Sequence, residues 1–107
     1  MDLYGIKTCD TCRKARKALE QAGKEVAFHD IRETPLSQDQ LEAFYAAFGD
    51  KLLNKSSTTW RGLNEDARSG PVLDLLAEHP TLMKRPVIVA NGAMTLGWTK
   101  DAQSHWF

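Results

Sequence analysis

Apolar positions lay out a short strand and then a helix within the first two dozen residues. Residues 1–6 place bulky side chains at Leu3, Tyr4 and Ile6 in a broken alternation, the pattern of a short central strand. From Cys12 the small and apolar residues recur at Ala15, Ala18, Leu19 and Ala22, one face of a 3.6-residue period, and Gly23 supplies a stop. Residues 25–31 set Val26 and Phe28 against Ala27 and His29 and read as a second strand, which a right-handed crossover makes parallel to the first. Ser37 and Gln40 have capping-box spacing, and Leu41, Phe44, Tyr45 and Phe48 form an apolar stripe ending at Gly49, so the pattern predicts a helix over 38–48. Residues 50–80 carry short helical patterns, one opened by Pro71 and given apolar contacts by Leu73, Leu75 and Leu76. A hairpin follows: residues 86–90, then Asn91-Gly92 suited to a type I′ turn, then residues 93–97. Thr99 is placed to cap a last helix reaching His105 or Trp106.

With 107 residues the chain predicts one domain, 1–107, with a helical insertion at about 50–80. Fourteen basic side chains balance fourteen acidic ones, which argues against a broad nucleic-acid footprint or a membrane-surface patch. The basic run at Arg13, Lys14, Arg16 and Lys17 reads as a solvated helix face. No apolar run approaches the length of a membrane span, and the first strand begins at the first residues, so the expectation is a protein of the reducing cytoplasm with no membrane partner and no direct nucleic-acid contact.

The only two cysteines, Cys9 and Cys12, lie where the strand pattern gives way to the helix. At a helix N-terminus the unpaired N–H groups and the dipole favour an anion, so a thiolate at Cys9 is stabilised; Lys7, Arg13 and Lys14 push the same way and Asp10 against. Cys12 falls on the first turn on the same side, where it could attack a mixed disulfide formed at Cys9. Two nearby cysteines can equally be core residues, since free cysteine packs well. The strand-to-helix context favours thiol chemistry. A zinc site needs four ligands, and His29, His79 and His105 stand in no ligand spacing with the cysteines, so no metal is expected. His29 and Asp30 end a strand beside the motif; a general base there is weighed against the commoner strand-end hydrogen bond.

The element order is that of a thioredoxin-like α/β fold: a four-stranded mixed sheet flanked by helices, with a helical insertion before a strand opened by a cis-proline. The Arg85–Pro86 bond is therefore expected to be cis, as only about one X–Pro bond in twenty is. Several stretches together resemble the ArsC/Spx/YffB family: residues 4–12 with Lys14-Ala15, then Phe28-His29-Asp30, Leu52-Leu53-Asn54, Thr58-Thr59-Trp60-Arg61 and Lys84-Arg85-Pro86. The likeness covers nearly the whole chain, and within the family it is nearest to the small YffB-like proteins.

In the glutaredoxin-coupled arsenate reductases of this family, a cysteine at the place of Cys9 attacks arsenate while three arginines hold the oxyanion. Here Arg85 is retained, Asn54 stands at the second place and Trp98 at the third. Each missing charge-assisted hydrogen bond forfeits roughly 1.5–3 kcal/mol, which argues against arsenate as the natural substrate. A phosphate-loop arsenate reductase would need an arginine six residues after the nucleophile, and that residue is Ala15.

The resemblance then implies an enzyme, a thiol-disulfide oxidoreductase that uses glutathione as co-substrate and holds no bound cofactor. Cys9 is its nucleophile, Cys12 or a second glutathione resolves, and Arg85 completes the catalytic group. Lys7, Lys55, Arg61 and Arg85 are the candidates for glutathione's carboxylates, with Asn54, Trp60 and Pro86 in the same substrate site. Its partners would be glutathione, a small-molecule or protein disulfide, and glutaredoxin. The alternative is an Spx-like redox-sensing regulator that binds the RNA polymerase α subunit; such chains carry more structure after the last strand, whereas this sequence stops at Phe107.

Overall fold

The computed structural model describes residues 1–107. In chain order it forms β1 (Asp2–Gly5), α1 (Asp10–Gln21), β2 (Ala27–Asp30), α2 (Gln38–Phe48), α3 (Thr58–Arg61), α4 (Glu65–Arg68), α5 (Val72–Glu78), β3 (Val87–Ala90), β4 (Ala93–Leu96) and α6 (Lys100–Trp106), with 3-10 turns at Gly49–Leu52 and Pro80–Leu82. These fall into two compact units, one of Met1–Thr34 with Arg85–Phe107 and the other of Pro35–Lys84.

The first unit holds a four-stranded sheet of order β2-β1-β3-β4, with β1 parallel to β2 and antiparallel to β3, and β3 antiparallel to β4. This is the mixed sheet of the thioredoxin-like fold, and the Arg85–Pro86 peptide bond that leads into β3 is cis. The register aligns Phe28, Leu3, Ile88 and Thr95 in one row across the strands. Leu3 and Ile88 of that row pack with Cys12, Ala15 and Leu19 of α1 and with Trp106 of α6, while Phe28 lies against the same cluster. Burying each large aliphatic side chain there contributes roughly 1.5–3 kcal/mol. The row's one hydroxyl does not go unpaired: Trp106 Nε1 donates to Thr95 Oγ1 at 2.8 Å.

Turn chemistry fixes the joins. Helix α1 ends with Gly23 N donating to Glu20 O and Lys24 N to Leu19 O, the paired bonds that close a Schellman motif. Between β3 and β4, Asn91 and Gly92 take φ values of 52° and 78°, the left-handed pair that a type I′ hairpin requires. Strand β2 is shorter than the alternation over 25–31 predicts: Ile31 N still bonds Gly5 O, but there the chain turns, with the Asp30 carboxylate accepting Arg32 N and Glu33 N.

The regular elements of the second unit are helices and 3-10 turns. Ser37 and Gln40 form the predicted capping box of α2, whose bounds match the pattern. Helices α3 and α4 are opened by side-chain caps: Ser57 Oγ accepts from Trp60 N, and Asn64 Oδ1 from Ala67 N. An antiparallel bridge between Leu53 and Met83, with Asn54 N on Leu82 O and Lys84 N on Leu52 O, ties the ends of this segment together. No helix of the chain is long and apolar enough to cross a membrane.

Candidate functional site

A four-residue loop after β1 delivers Cys9 to the N-cap of α1, in extended backbone with φ −80° and ψ 118°. Its N–H donates to Ile6 O and its carbonyl accepts from Arg13 N, each at 3.0 Å. Unlike Ser37, Ser57, Asn64 and Thr99 at four of the other helix starts, Cys9 closes no ordinary side-chain cap. Its sulfur is left half-buried, packed against the core on one side and reachable on the other.

Cys12, one turn into the helix, is fully buried in the cluster of Leu3, Ala15, Leu19, Ile88 and Trp106. Gly5 makes the room for it: a Cβ at that position would stand 2.5 Å from Cys12 Sγ. Both cysteines are free thiols.

The two sulfurs sit in opposite electrostatic settings. Burial pushes the Cys9 thiol up, but the Cys12 N–H, the Cys12 thiol and the Arg85 guanidinium all favour the thiolate and together outweigh it, so Cys9 titrates below its ordinary value. Burial pushes Cys12 up as well, the hydrogen bond and charge of Cys9 add to the effect, and Cys12 is pushed up to about 12. When the pair gives up one proton, Cys9 is therefore the anion and Cys12 the thiol that donates to it.

The cation behind this is not one of those expected along the helix start. Lys7 Nζ turns instead to Glu33, 2.9 Å and 3.2 Å from its two carboxylate oxygens, and that partner raises the lysine's own pKa. Arg13 pairs with Asp10, and Lys14 is exposed. Acidic partners on the neighbouring surface claim two of the three charges that the sequence assigned to Cys9, and the group facing the sulfur is Arg85, just before the cis bond. Pro86 itself is fully buried and accepts Gly97 N at 2.8 Å.

The structure thereby brings Cys9, Cys12 and Arg85 together within the first unit. Lys7 and Pro86 belong to the same unit, while Asn54, Lys55, Trp60 and Arg61 lie in the second. Asn54 turns its side chain back on Ser56 N at 3.0 Å. Lys55 Nζ lies 5.8 Å from the centre of the Trp60 ring, and Arg61 is exposed at the end of α3. Trp60 is half-buried, and its ring also carries the guanidinium of Arg68 at 5.2 Å. Arg68 holds the carbonyls of Trp60 and Arg61, the open end of α3. Nothing local in the sequence marks Arg68 for this part, since its partners lie seven and eight residues back across a turn.

Trp98, at the place where an oxyanion arginine is expected, is half-buried with its ring edge-on to Phe107 at 6.0 Å. His29 Nε2 pairs with Asp2 Oδ1 at 2.9 Å, and Asp30 accepts three backbone N–H groups, so these two residues make strand-end bonds. No three His, Cys, Asp or Glu side chains converge to hold a metal ion.

Comparison with known proteins places this geometry among relatives. The ArsC family pattern matches residues 4–105. An uncharacterized protein of Haemophilus influenzae is 42% identical over 103 residues, which cover 92% of this chain and 90% of that one. The global transcriptional regulator Spx of Bacillus subtilis is 30% identical over 105 residues, covering 92% of this chain and 80% of the regulator. Among solved structures, the YFFB protein superposes with a TM-score of 0.89 at 32% identity, covering 97% of this chain and 96% of that one.

Proposed function

We propose a function from one premise: this chain belongs to the ArsC family. It is a thiol-disulfide oxidoreductase of the arsenate reductase-like kind that takes glutathione as co-substrate and works in a reducing cytoplasm. The observation that carries this is a half-exposed Cys9 at a helix N-terminus, with the Cys12 N–H, the Cys12 thiol and Arg85 all favouring its thiolate.

The Cys9 thiolate attacks the glutathionyl sulfur of a mixed disulfide, forms a Cys9–glutathione disulfide and expels the substrate thiolate, which takes a proton from water. A second glutathione thiolate then attacks the glutathionyl sulfur, releases Cys9 as thiolate and leaves as glutathione disulfide. Cys12 is the slower resolving group. Its attack on the Cys9 sulfur would release glutathione and leave a Cys9–Cys12 disulfide, but burial, the largest influence on this thiol, persists when Cys9 is no longer charged. Arg85, the residue assigned by motif, holds a carboxylate of glutathione as well as favouring the thiolate, Pro86 shapes the same wall, and Lys7, Lys55, Arg61, Asn54 and Trp60 are further candidates for binding the substrate. Glutaredoxin or a protein disulfide is a further partner.

Arsenate is a poorer fit, because Asn54 is engaged with Ser56 and Trp98 packs against Phe107 where an oxyanion would need arginines. A regulatory role is the second reading, supported by the likeness to Spx. It would replace turnover with a stable complex on RNA polymerase, held at the α chain's C-terminal domain, which a pull-down would capture.

Mass spectrometry after incubation with oxidised glutathione, on the wild type, Cys9→Ser and Cys12→Ser, tests the reading. The expected result is an adduct on Cys9 in the wild type and in Cys12→Ser and none in Cys9→Ser. An adduct confined to Cys12→Ser would make Cys12 the resolving thiol. A readily formed internal disulfide with no adduct on any variant would favour the regulator.

A further inference from the structure

The loop that delivers Cys9 is short of anchors of its own. Of its residues only Ile6 is buried; Lys7 and Thr8 are exposed, and the Lys7 ammonium reaches no further than the exposed carboxylate of Glu33. Besides the Cys9 N–Ile6 O bond, what fixes the loop backbone comes from another strand. Asp30, at the end of β2 and only 8% exposed, accepts Lys7 N on Oδ2 at 2.9 Å. Its other oxygen, Oδ1, accepts Arg32 N at 2.8 Å and Glu33 N at 3.1 Å.

A carboxylate taken out of water is costly unless its lone pairs are met. Here burial pushes Asp30 up, and three backbone N–H groups with the Lys7 charge more than compensate, so it stays ionised well into the acid range. Closing the turn after β2 needs one acceptor oxygen, and an asparagine would supply it. Only a carboxylate offers a second acceptor to the loop that leads to the cysteine.

We infer that Asp30 is the positioning residue of the reactive thiol: its second carboxylate oxygen pins the backbone at Lys7, and so sets where Cys9 meets the Cys12 N–H and Arg85. The assignment rests on Cys9 being the nucleophile. A local charge effect would have the other sign, since a nearby carboxylate repels a thiolate and its removal would make Cys9 more acidic. Loss of the pin makes Cys9 less acidic. The charged groups to be held constant are Arg85 and Cys12 at the sulfur, and Lys7 with Glu33 beside Asp30.

The test is Asp30→Asn, which keeps an oxygen for Arg32 and Glu33 and removes the acceptor for Lys7. Iodoacetamide labelling of Cys9, mapped by peptide mass against pH, should run about threefold slower near pH 6.5, the change in thiolate fraction that a rise of about half a pKa unit gives. Labelling that is unchanged or faster overturns the proposal while leaving Cys9 as nucleophile intact. Labelling of Cys12 ahead of Cys9 in the wild type would instead remove the reading on which it rests. Should Asp30→Asn fail to fold, amide exchange in the wild type decides: Lys7 N–H is expected to be protected like Cys9 N–H, and exchange at the rate of a free amide overturns the pin.

Discussion

In the unit of Met1–Thr34 and Arg85–Phe107, several side-chain bonds reach far along the chain beside the local ones, whereas in Pro35–Lys84 most polar side chains close the nearest turn. Lys7 N bonds Asp30 across 23 positions, His29 bonds Asp2 across 27, and Trp106 bonds Thr95 across 11. In the second unit Ser37, Asn54, Ser57 and Asn64 each serve an N–H two or three residues on, with the Thr59–Thr81 hydroxyl pair as the long-range exception. Local caps stabilise a turn and nothing more. Long-range bonds tie a distant strand to the loop and helix that set the state of a sulfur, so a substitution at Asp30 or Arg85 should be felt at Cys9 and the loss of a local cap such as Ser37 should not.

The largest effect expected from that contrast is on ligand binding. Arg85→Ala should weaken glutathione by about 1.5–3 kcal/mol, on the order of ten- to a hundredfold, while the unfolding midpoint holds. Titration calorimetry with unchanged affinity would take Arg85 out of the site. Next in size is Gly5→Ala, whose Cβ would stand 2.5 Å from Cys12 Sγ. Overpacking of this kind costs roughly 1–3 kcal/mol, and Cys12→Ala in the same chain should restore part of it. A urea midpoint that does not move would mean that the core yields more easily than its packing implies.

Ser37→Ala tests the other side of the contrast. Loss of the capping box should cost about 1 kcal/mol in denaturant unfolding and leave Cys9 labelling untouched. A changed labelling rate would break the distinction between the units. The smallest effect is one of pH. Asp30 has a folded pKa below its unfolded one, so its contribution is present above about pH 4 and is lost as pH falls through the folded value. The stability gap between wild type and Asp30→Asn should therefore narrow under acid, and a gap that widens would contradict the assigned direction.

Which parts of this were legible in the sequence follows from how local their causes are. The bounds of α2 follow from Ser37, Gln40 and Gly49, and the hairpin from Asn91-Gly92, because each is decided by residues beside it. Cys12, Ala15 and Leu19 at helical spacing already mark the buried face of α1, and Cys12 proves to be as much a core residue as a thiol. The charge environment of Cys9 is another matter. Lys7, Arg13 and Lys14 are near it in sequence, but side chains turn to the best partner in space, and Glu33 and Asp10 supply partners for the first two. Arg85 was reached through family resemblance, since no local pattern brings a residue 76 positions on to the head of α1 (85 against 9). Asp30 could be read as a strand-end hydrogen-bonding residue, yet its reach to Lys7 N depends on the parallel pairing of β1 with β2.

The measurement that bears most directly on the account is the pH dependence of thiol alkylation in the wild-type protein, with the modified residue identified by peptide mass. Cys9 is predicted to react first, with a midpoint below the ordinary thiol value of about 9, while Cys12 stays unmodified in the folded protein through neutral pH. Modification of Cys12 first, or a Cys9 midpoint at or above that value, would contradict it.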